Sequence, residues 1–148
     1  VHTSFVKNVV MSLRTYPIRV GSIPKLGYSG DVYPDQKETS FQKLGVVDER
    51  TTVTNRVRRI FTWSKQQFDS AIVLNRPNIL FLNFCNYADP CILNKILINM
   101  SMSCNKLLPY TPDLLLGWGP DVESVTQCDL NSLCLTDLEK LYDLYSCR

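Results

Sequence analysis

The chain has 148 residues, with 16 Lys and Arg against 14 Asp and Glu, one His and six Cys, for a formal net charge of +2. This length suits a single domain with a core of its own, and the near balance of charge argues against nucleic acid as a partner. No run of 18 or more apolar residues occurs, which excludes a membrane-spanning helix of the usual kind.

Val1 is followed by neither a basic stretch nor an apolar one, so residues 1–148 are expected to be one domain, the C-terminal part of a longer secreted protein. Charge is distributed unevenly along it. Residues 1–107 carry 14 Lys and Arg against seven Asp and Glu, and residues 108–148 carry two against seven.

In chain order, Ser4 to Leu13 alternates imperfectly and predicts a strand, and Tyr16 to Ile23 predicts a shorter one bounded by Pro17, Gly21 and Pro24. Gly27 to Glu38, rich in Gly, Pro and Asp, predicts a surface loop. Thr51 to Trp63 predicts a long strand. Val53, Val57, Phe61 and Trp63 would face a core, with Arg59 among them needing a partner, while Thr52, Thr54, Arg56 and Arg58 face outward. Ser70 to Leu74 and Asn78 to Phe84 predict two strands split at Asn75-Arg76-Pro77. The second, nearly all apolar, should be central. Ile92 to Met100 fits both periods in part and is read as a strand. Leu107 to Gly119 ends in a turn, Gly117-Trp118-Gly119-Pro120, expected to present an indole.

The last element is a helix. Thr136-Asp137-Leu138-Glu139 has the capping-box pattern, and Leu138, Leu141, Tyr142 and Tyr145 form an apolar stripe suited to clamping onto a sheet. Many short strands with one confident helix predict a mostly antiparallel β-sandwich with a C-terminal helix packed alongside.

All six cysteines (Cys85, Cys91, Cys104, Cys128, Cys134 and Cys147) fall in the second half of the chain. An even number at loose spacings predicts a disulfide framework laid down in an oxidising, extracellular compartment, with the pairing left open. Zinc would need closer ligand pairs, so no metal and no cofactor is expected. Asn99-Met100-Ser101 is a glycosylation sequon, usable if it lies in an exposed loop.

Catalytic chemistry is thin. His2 is the only histidine, which leaves no nucleophile–base pair, and no phosphate-binding glycine loop is present. Binding chemistry is better supplied. Tyr33, Asp35 and Glu38 in the loop, with Asp48 and Glu49 before the long strand, form a possible acidic rim for a basic protein partner. Asp121 and Glu123 beside Trp118 form a second patch. Arg56 and Arg58, with Arg59, offer an anion-facing stripe.

Two segments, Ile79 to Met100 (I-L-F-L-N-F-C-N-Y-A-D-P-C-I-L-N-K-I-L-I-N-M) and Ser124 to Arg148 (S-V-T-Q-C-D-L-N-S-L-C-L-T-D-L-E-K-L-Y-D-L-Y-S-C-R), resemble the C-terminal domain of the orthopoxvirus cytokine response modifier proteins, secreted decoy receptors. That resemblance implies a cystine-stapled β-sandwich without an active site that sequesters host chemokines. Tyr33 would be an anchor, and Asp35, Glu38, Asp48 and Glu49 would pair with chemokine cations. The alternatives are a glycosaminoglycan-binding or cell-surface attachment module built on Arg56, Arg58 and Arg59, and a structural stalk.

Overall fold

A computed structural model describes residues 5–21, 23, 27 and 29–146. Its centre is a four-stranded sheet made of β1 (Val10–Arg14), β5 (Ile79–Asn83), β6 (Asp113–Gly117) and β7 (Val125–Cys128), in that spatial order. β1, β5 and β6 run parallel, in the registers Val10↔Ile79 and Ile79↔Asp113, and β7 returns antiparallel to β6. Between β1 and β5 the chain builds a smaller antiparallel sheet, ordered β2 (Ile18–Arg19), β4 (Arg59–Phe61), β3 (Glu38–Thr39), and then helix α1 (Lys65–Asn75). Helix α2 (Pro90–Leu107) carries the chain from β5 to β6, and α3 (Leu135–Ser146) ends the described chain.

Period-two burial places the core. Leu80 and Leu82 of β5 and Leu114 and Leu116 of β6 are fully buried, while Phe81 and Leu115 between them are only half-buried. α2 meets that core with Leu93, Ile96, Leu97, Met100 and Cys104, a stripe of helical period. Asp89 caps it by accepting from the Ile92 N–H, and Pro90 occupies the first turn, where no N–H is needed. α1 starts at Ser64, whose hydroxyl accepts from the Gln67 N–H at 3.0 Å, and ends at Arg76 in the left-handed region. Phe68 and Ile72 anchor its buried face.

The expected antiparallel sandwich is therefore overturned: the fold is mixed α/β with a mostly parallel sheet and three helices. Ser70–Leu74 is helix α1, and Ile92–Met100 is helix α2. Parallel strands need long crossovers, and these helices are the connections. The long strand predicted over Thr51–Trp63 survives only at Arg59–Phe61, and Val53, expected in a core, is 95% exposed. Asn78–Phe84 is central as expected, as β5. α3 also forms, with Leu138 fully buried and Leu141, Tyr142 and Tyr145 packed on the core. Its cap differs from the expected one: Asp137 accepts from the thiol of Cys134 at 2.9 Å, and Thr136 lies inside the helix.

Cys85, Cys91, Cys104, Cys128 and Cys134 are all free thiols. This corrects the disulfide framework for those five; Cys147 lies outside the described residues. Cys85 and Cys104 are buried as small apolar side chains, and burial pushes the Cys104 thiol up to about 11. No helix is long and apolar enough to cross a membrane among the described residues.

Candidate functional site

In an open parallel sheet, ligands bind beyond the carboxyl ends of the strands. Here those ends are Arg14, Asn83 and Gly117, and beside them lies a cleft of about 580 Å³. Its walls include Phe81, Asn83, Phe84, Tyr87, Asp121 and Val122. Phe84 turns the chain out of β5 with φ of +61°, a conformation costly for an aromatic residue. It is held there by Thr15, fully buried, whose hydroxyl donates to the Phe84 carbonyl at 2.6 Å. The Phe84 and Tyr87 rings meet edge to face at 5.1 Å.

Asn83 points its amide from the strand end. Its Nδ2 donates to Ser12 Oγ at 3.1 Å, and its Oδ1 lies over Gly117, where an added Cβ would come within 2.6 Å. Nδ2 also donates to the Phe81 carbonyl at 3.5 Å, and aromatic side chains beside an amide suit a flat, polar-edged ring such as a nucleobase.

A second element reaches toward this edge from the small sheet. Residues 50–57 form a closed turn. Thr51 N–H donates to the Arg56 carbonyl at 2.8 Å, Asn55 N–H donates to the Thr51 carbonyl at 3.0 Å, and the Thr51 and Thr54 hydroxyls share a hydrogen bond. Arg50 Nη1 donates to the Asn55 carbonyl, and Asn55 takes φ of +49°. Arg56 projects into solvent from this turn, and Arg58 is half-buried at its base. Neither has an ion-pair partner among the described residues, so both guanidiniums are available to an anion. Arg59 differs, since it holds Glu38 through two bonds of 2.8 and 2.7 Å, and that hydrogen bonding is the main reason the Glu38 carboxyl lies below its usual value.

Turn and cleft are joined through Arg14. Its guanidinium makes a two-pronged contact with Glu49, whose carbonyl in turn accepts from the Arg58 N–H, and it lies 3.5 Å from the centre of the Phe84 ring.

The acidic rim does not assemble. Glu49 is occupied by Arg14 and Glu38 by Arg59. Asp35 caps α1, accepting from the Ser64 hydroxyl at 2.6 Å and the Gln66 N–H at 3.0 Å. Partial burial raises its carboxyl, but these hydrogen bonds outweigh that and leave it lowered. Asp48 is half-buried, and Tyr33 lines a separate shallow pocket with Arg19 and Pro34. Trp118, expected to be presented to a partner, is 2% exposed and stacks on Tyr145. Asp121 and Glu123 are exposed, and Asp121 joins the cleft wall. Asn99 sits half-buried within α2, not in the exposed loop that glycosylation would require.

Sequence reasoning singled out Arg56, Arg58 and Asp121 but passed over Asn83, Phe84, Tyr87 and Arg14. The available signal was the polar Asn83 closing the apolar run Ile79–Leu82, followed by Asn86.

No protein-family model matches the chain. Curated proteins do. It is 39% identical over 131 residues to N6-succino-2-amino-2'-deoxyadenylate synthase of Salmonella phage PMBT28, covering 82% of this chain and 36% of that protein. It is 38% identical over 117 residues to the synthase of the same name from Vibrio phage phiVC8, covering 79% of this chain and 33% of that protein. Among solved structures, the Cyanophage S-2L succinoaminodeoxyadenylate synthetase, bound to dGMP and to dATP as an energy donor, superposes with a TM-score of 0.76 at 38% identity, over 93% of this chain and 37% of that one. The chain thus spans about a third of the length of the proteins it matches. These likenesses overturn the poxviral resemblance and its chemokine and glycosaminoglycan partners, together with the expectation of a non-catalytic binding module, because the relatives are synthases and the solved one holds nucleotides. In sequence and in fold, this chain is similar to one third of a phage N6-succino-2-amino-2'-deoxyadenylate synthase.

Proposed function

We propose that this chain is a nucleotide-binding part of an N6-succino-2-amino-2'-deoxyadenylate synthase, with the cleft at the ends of β5 and β6 holding a nucleobase and the 50–57 turn meeting anionic groups. The observation that supports this most is the likeness over 93% of the chain to a synthetase bound to two nucleotides. The chemistry of the site agrees with it. A product of that name carries a phosphate and the two carboxylates of a succinyl group, and paired guanidiniums are the side chains that grip such groups in two-pronged fashion. Arg56 and Arg58 have no ion-pair partner among the described residues. Relative to dGMP, the product has a succinyl-bearing nitrogen where the purine has its 6-oxygen. That oxygen must leave, so an energy-donor nucleotide has a role in the same reaction.

Within this scheme Asn83 lies at the base edge, the packed pair Phe84 and Tyr87 forms one wall of the cleft against the base, and Ser12 and Gly117 keep the Asn83 amide in place. The test is NMR titration of the ¹⁵N-labelled chain with dATP and, separately, dGMP. Saturable shifts centred on Asn83, Phe84 and Gly119–Val122, weakened in Asn83→Ala, are expected. Shifts confined to other surfaces, or none at millimolar nucleotide, would refute the assignment.

A further inference from the structure

We infer that helix α3 is a brace behind the cleft and that Tyr145 is its positioning residue, holding in place segments that line the cleft from two different strand ends. The inference rests on the proposed function and adds a residue to it. One lining segment is the turn from β6 to β7, which supplies Gly119, Pro120, Asp121 and Val122. The other is the single 3₁₀ turn Cys85–Tyr87 after β5, which supplies Tyr87.

The β6–β7 turn is closed on itself. The Trp118 N–H donates to the Ser124 carbonyl at 2.9 Å, and the Ser124 N–H donates to the Asp121 carbonyl at 3.0 Å. A Cβ added to Gly119 would come within 2.9 Å of Ser124 Oγ, so the two arms of the turn touch. These contacts fix the shape of the turn but not its tilt on the sheet, since residues 119–123 are all exposed. The tilt is set from behind. Trp118 follows Leu114 and Leu116 at period two, so its indole points to the helix side, where it is buried. Among the described residues the indole N–H has no acceptor, which leaves packing and ring stacking to orient it. It stacks on Tyr145 with ring centres 5.7 Å apart and planes 11° from parallel, and the Tyr145 hydroxyl donates to the Glu123 carbonyl at 3.4 Å. One side chain of α3 thus holds both arms of the turn, one through a ring and one through the backbone.

α3 is anchored independently of that turn. Leu138, fully buried, lies on the same face as Tyr145, two turns or about 10 Å earlier. The helix packs on α2 and also on the 3₁₀ turn Cys85–Tyr87. It therefore backs both lining segments, and a change in its seating reaches the cleft from β5 and from β6 at once. Coupling of this kind is reciprocal: a base that touches both segments must in turn tighten the docking of α3.

The test compares the 148-residue chain with Tyr145→Leu, Tyr145→Phe and, as a control, Leu144→Ala at an exposed position of α3. Two quantities are read: dATP affinity by NMR titration, and amide hydrogen exchange without nucleotide. Tyr145→Leu keeps an apolar side chain but loses the flat stack and the hydroxyl. It should weaken dATP by about three- to tenfold and speed exchange of the Trp118 and Ser124 amides by a similar factor, with the Leu80 and Leu82 amides unchanged. Tyr145→Phe keeps the ring and loses only a long hydrogen bond, so both quantities should return to within about twofold of the parent. Leu144→Ala should change neither. If the parent binds dATP and Tyr145→Leu binds it equally well, the brace is overturned and the proposed function stands. Failure of Tyr145→Phe to rescue also overturns the brace, as does faster exchange shared equally by the Leu80 and Leu82 amides, which would make Tyr145 a support of the whole fold. Should Tyr145→Leu not fold, the parent decides: saturating dATP must slow exchange of the Leu141 to Tyr145 amides, and no slowing overturns the brace. A parent that binds no dATP, with the Trp118 and Ser124 amides loosened in Tyr145→Leu, overturns the functional reading and keeps the brace.

Discussion

The two sheets of this protein are held together by different physics. The four-stranded sheet is fixed by leucines, since Leu80, Leu82, Leu114 and Leu116 are all fully buried against the stripes of α2 and α3. The three-stranded sheet has paired elements of only two or three residues; it buries Ile60 and Phe61 of β4 and adds polar cross-links: Arg59 to Glu38, Asp35 to Ser64, and Gln36 to the Thr62 carbonyl at 3.1 Å. Apolar burial contributes in proportion to area and is not screened by salt, whereas half-exposed ion pairs contribute little and weaken with salt and acid. The leucine-packed sheet carries the cleft, and the sheet with the polar cross-links carries the arginine turn.

Substitutions can break this contrast in order of size. Leu82→Ala, in the leucine layer, should cost about 2–5 kcal/mol in urea unfolding; a loss below 1 kcal/mol would mean that the layer can collapse around the hole. Gly117→Ala should cost about 1–3 kcal/mol and displace the Asn83 amide, weakening nucleotide shifts in the cleft more than it weakens the fold. Arg59→Ala should cost only about 1 kcal/mol, and the part due to Glu38 should be lost in acid, leaving the part due to Ser29 Oγ, the Gly30 carbonyl and the Phe61 ring. Glu38 has a folded-state value lowered from 4.5, so its contribution is complete above that pH and is lost as pH falls through the lowered value. An Arg59→Ala penalty as large at pH 2 as at pH 7 would contradict the ion-pair account.

Smaller still is the effect expected on the fold of Arg56→Ala with Arg58→Ala: within about 0.5 kcal/mol of the parent, with any loss falling on anion binding. The smallest is that of reductant. With free thiols, the unfolding midpoint should be the same with and without dithiothreitol, and a thiol reagent should modify the exposed Cys91 and Cys134 in the native chain before the buried Cys85 and Cys104. A midpoint that drops on reduction would restore a disulfide.

Much of the leucine-layered half was legible in sequence. The run Ile79–Leu82 signals a strand buried on both sides, and Leu138, Leu141, Tyr142 and Tyr145 signal α3. α2 could have been read as well: Asp89-Pro90 is a helix start, and Leu93, Ile96, Leu97 and Met100 follow helical spacing. Parallel pairing was not legible, because it joins strands 69 positions apart, as in Val10↔Ile79, and leaves no local mark. Thr51 to Arg58 misled for a different reason. Alternating Thr and Val favour a strand only where neighbours cover one face, and nothing covers Val53. At the site, charge was visible and neutrality was not. Arg56 and Arg58 attracted notice as cations, whereas Asn83 becomes meaningful only when the parallel order puts it at a strand end beside Gly117.

The span between β1 and β5 also bears on how the molecule assembles. Joining β5 to β6 closes a loop of 34 positions, from Ile79 to Asp113, and joining β1 to β5 closes one of 69, from Val10 to Ile79. A doubling adds about 0.6 kcal/mol of closure entropy, and distant pairings form slowly. The β5–α2–β6 unit is thus the natural nucleus, onto which β1 is recruited late and from which it opens first.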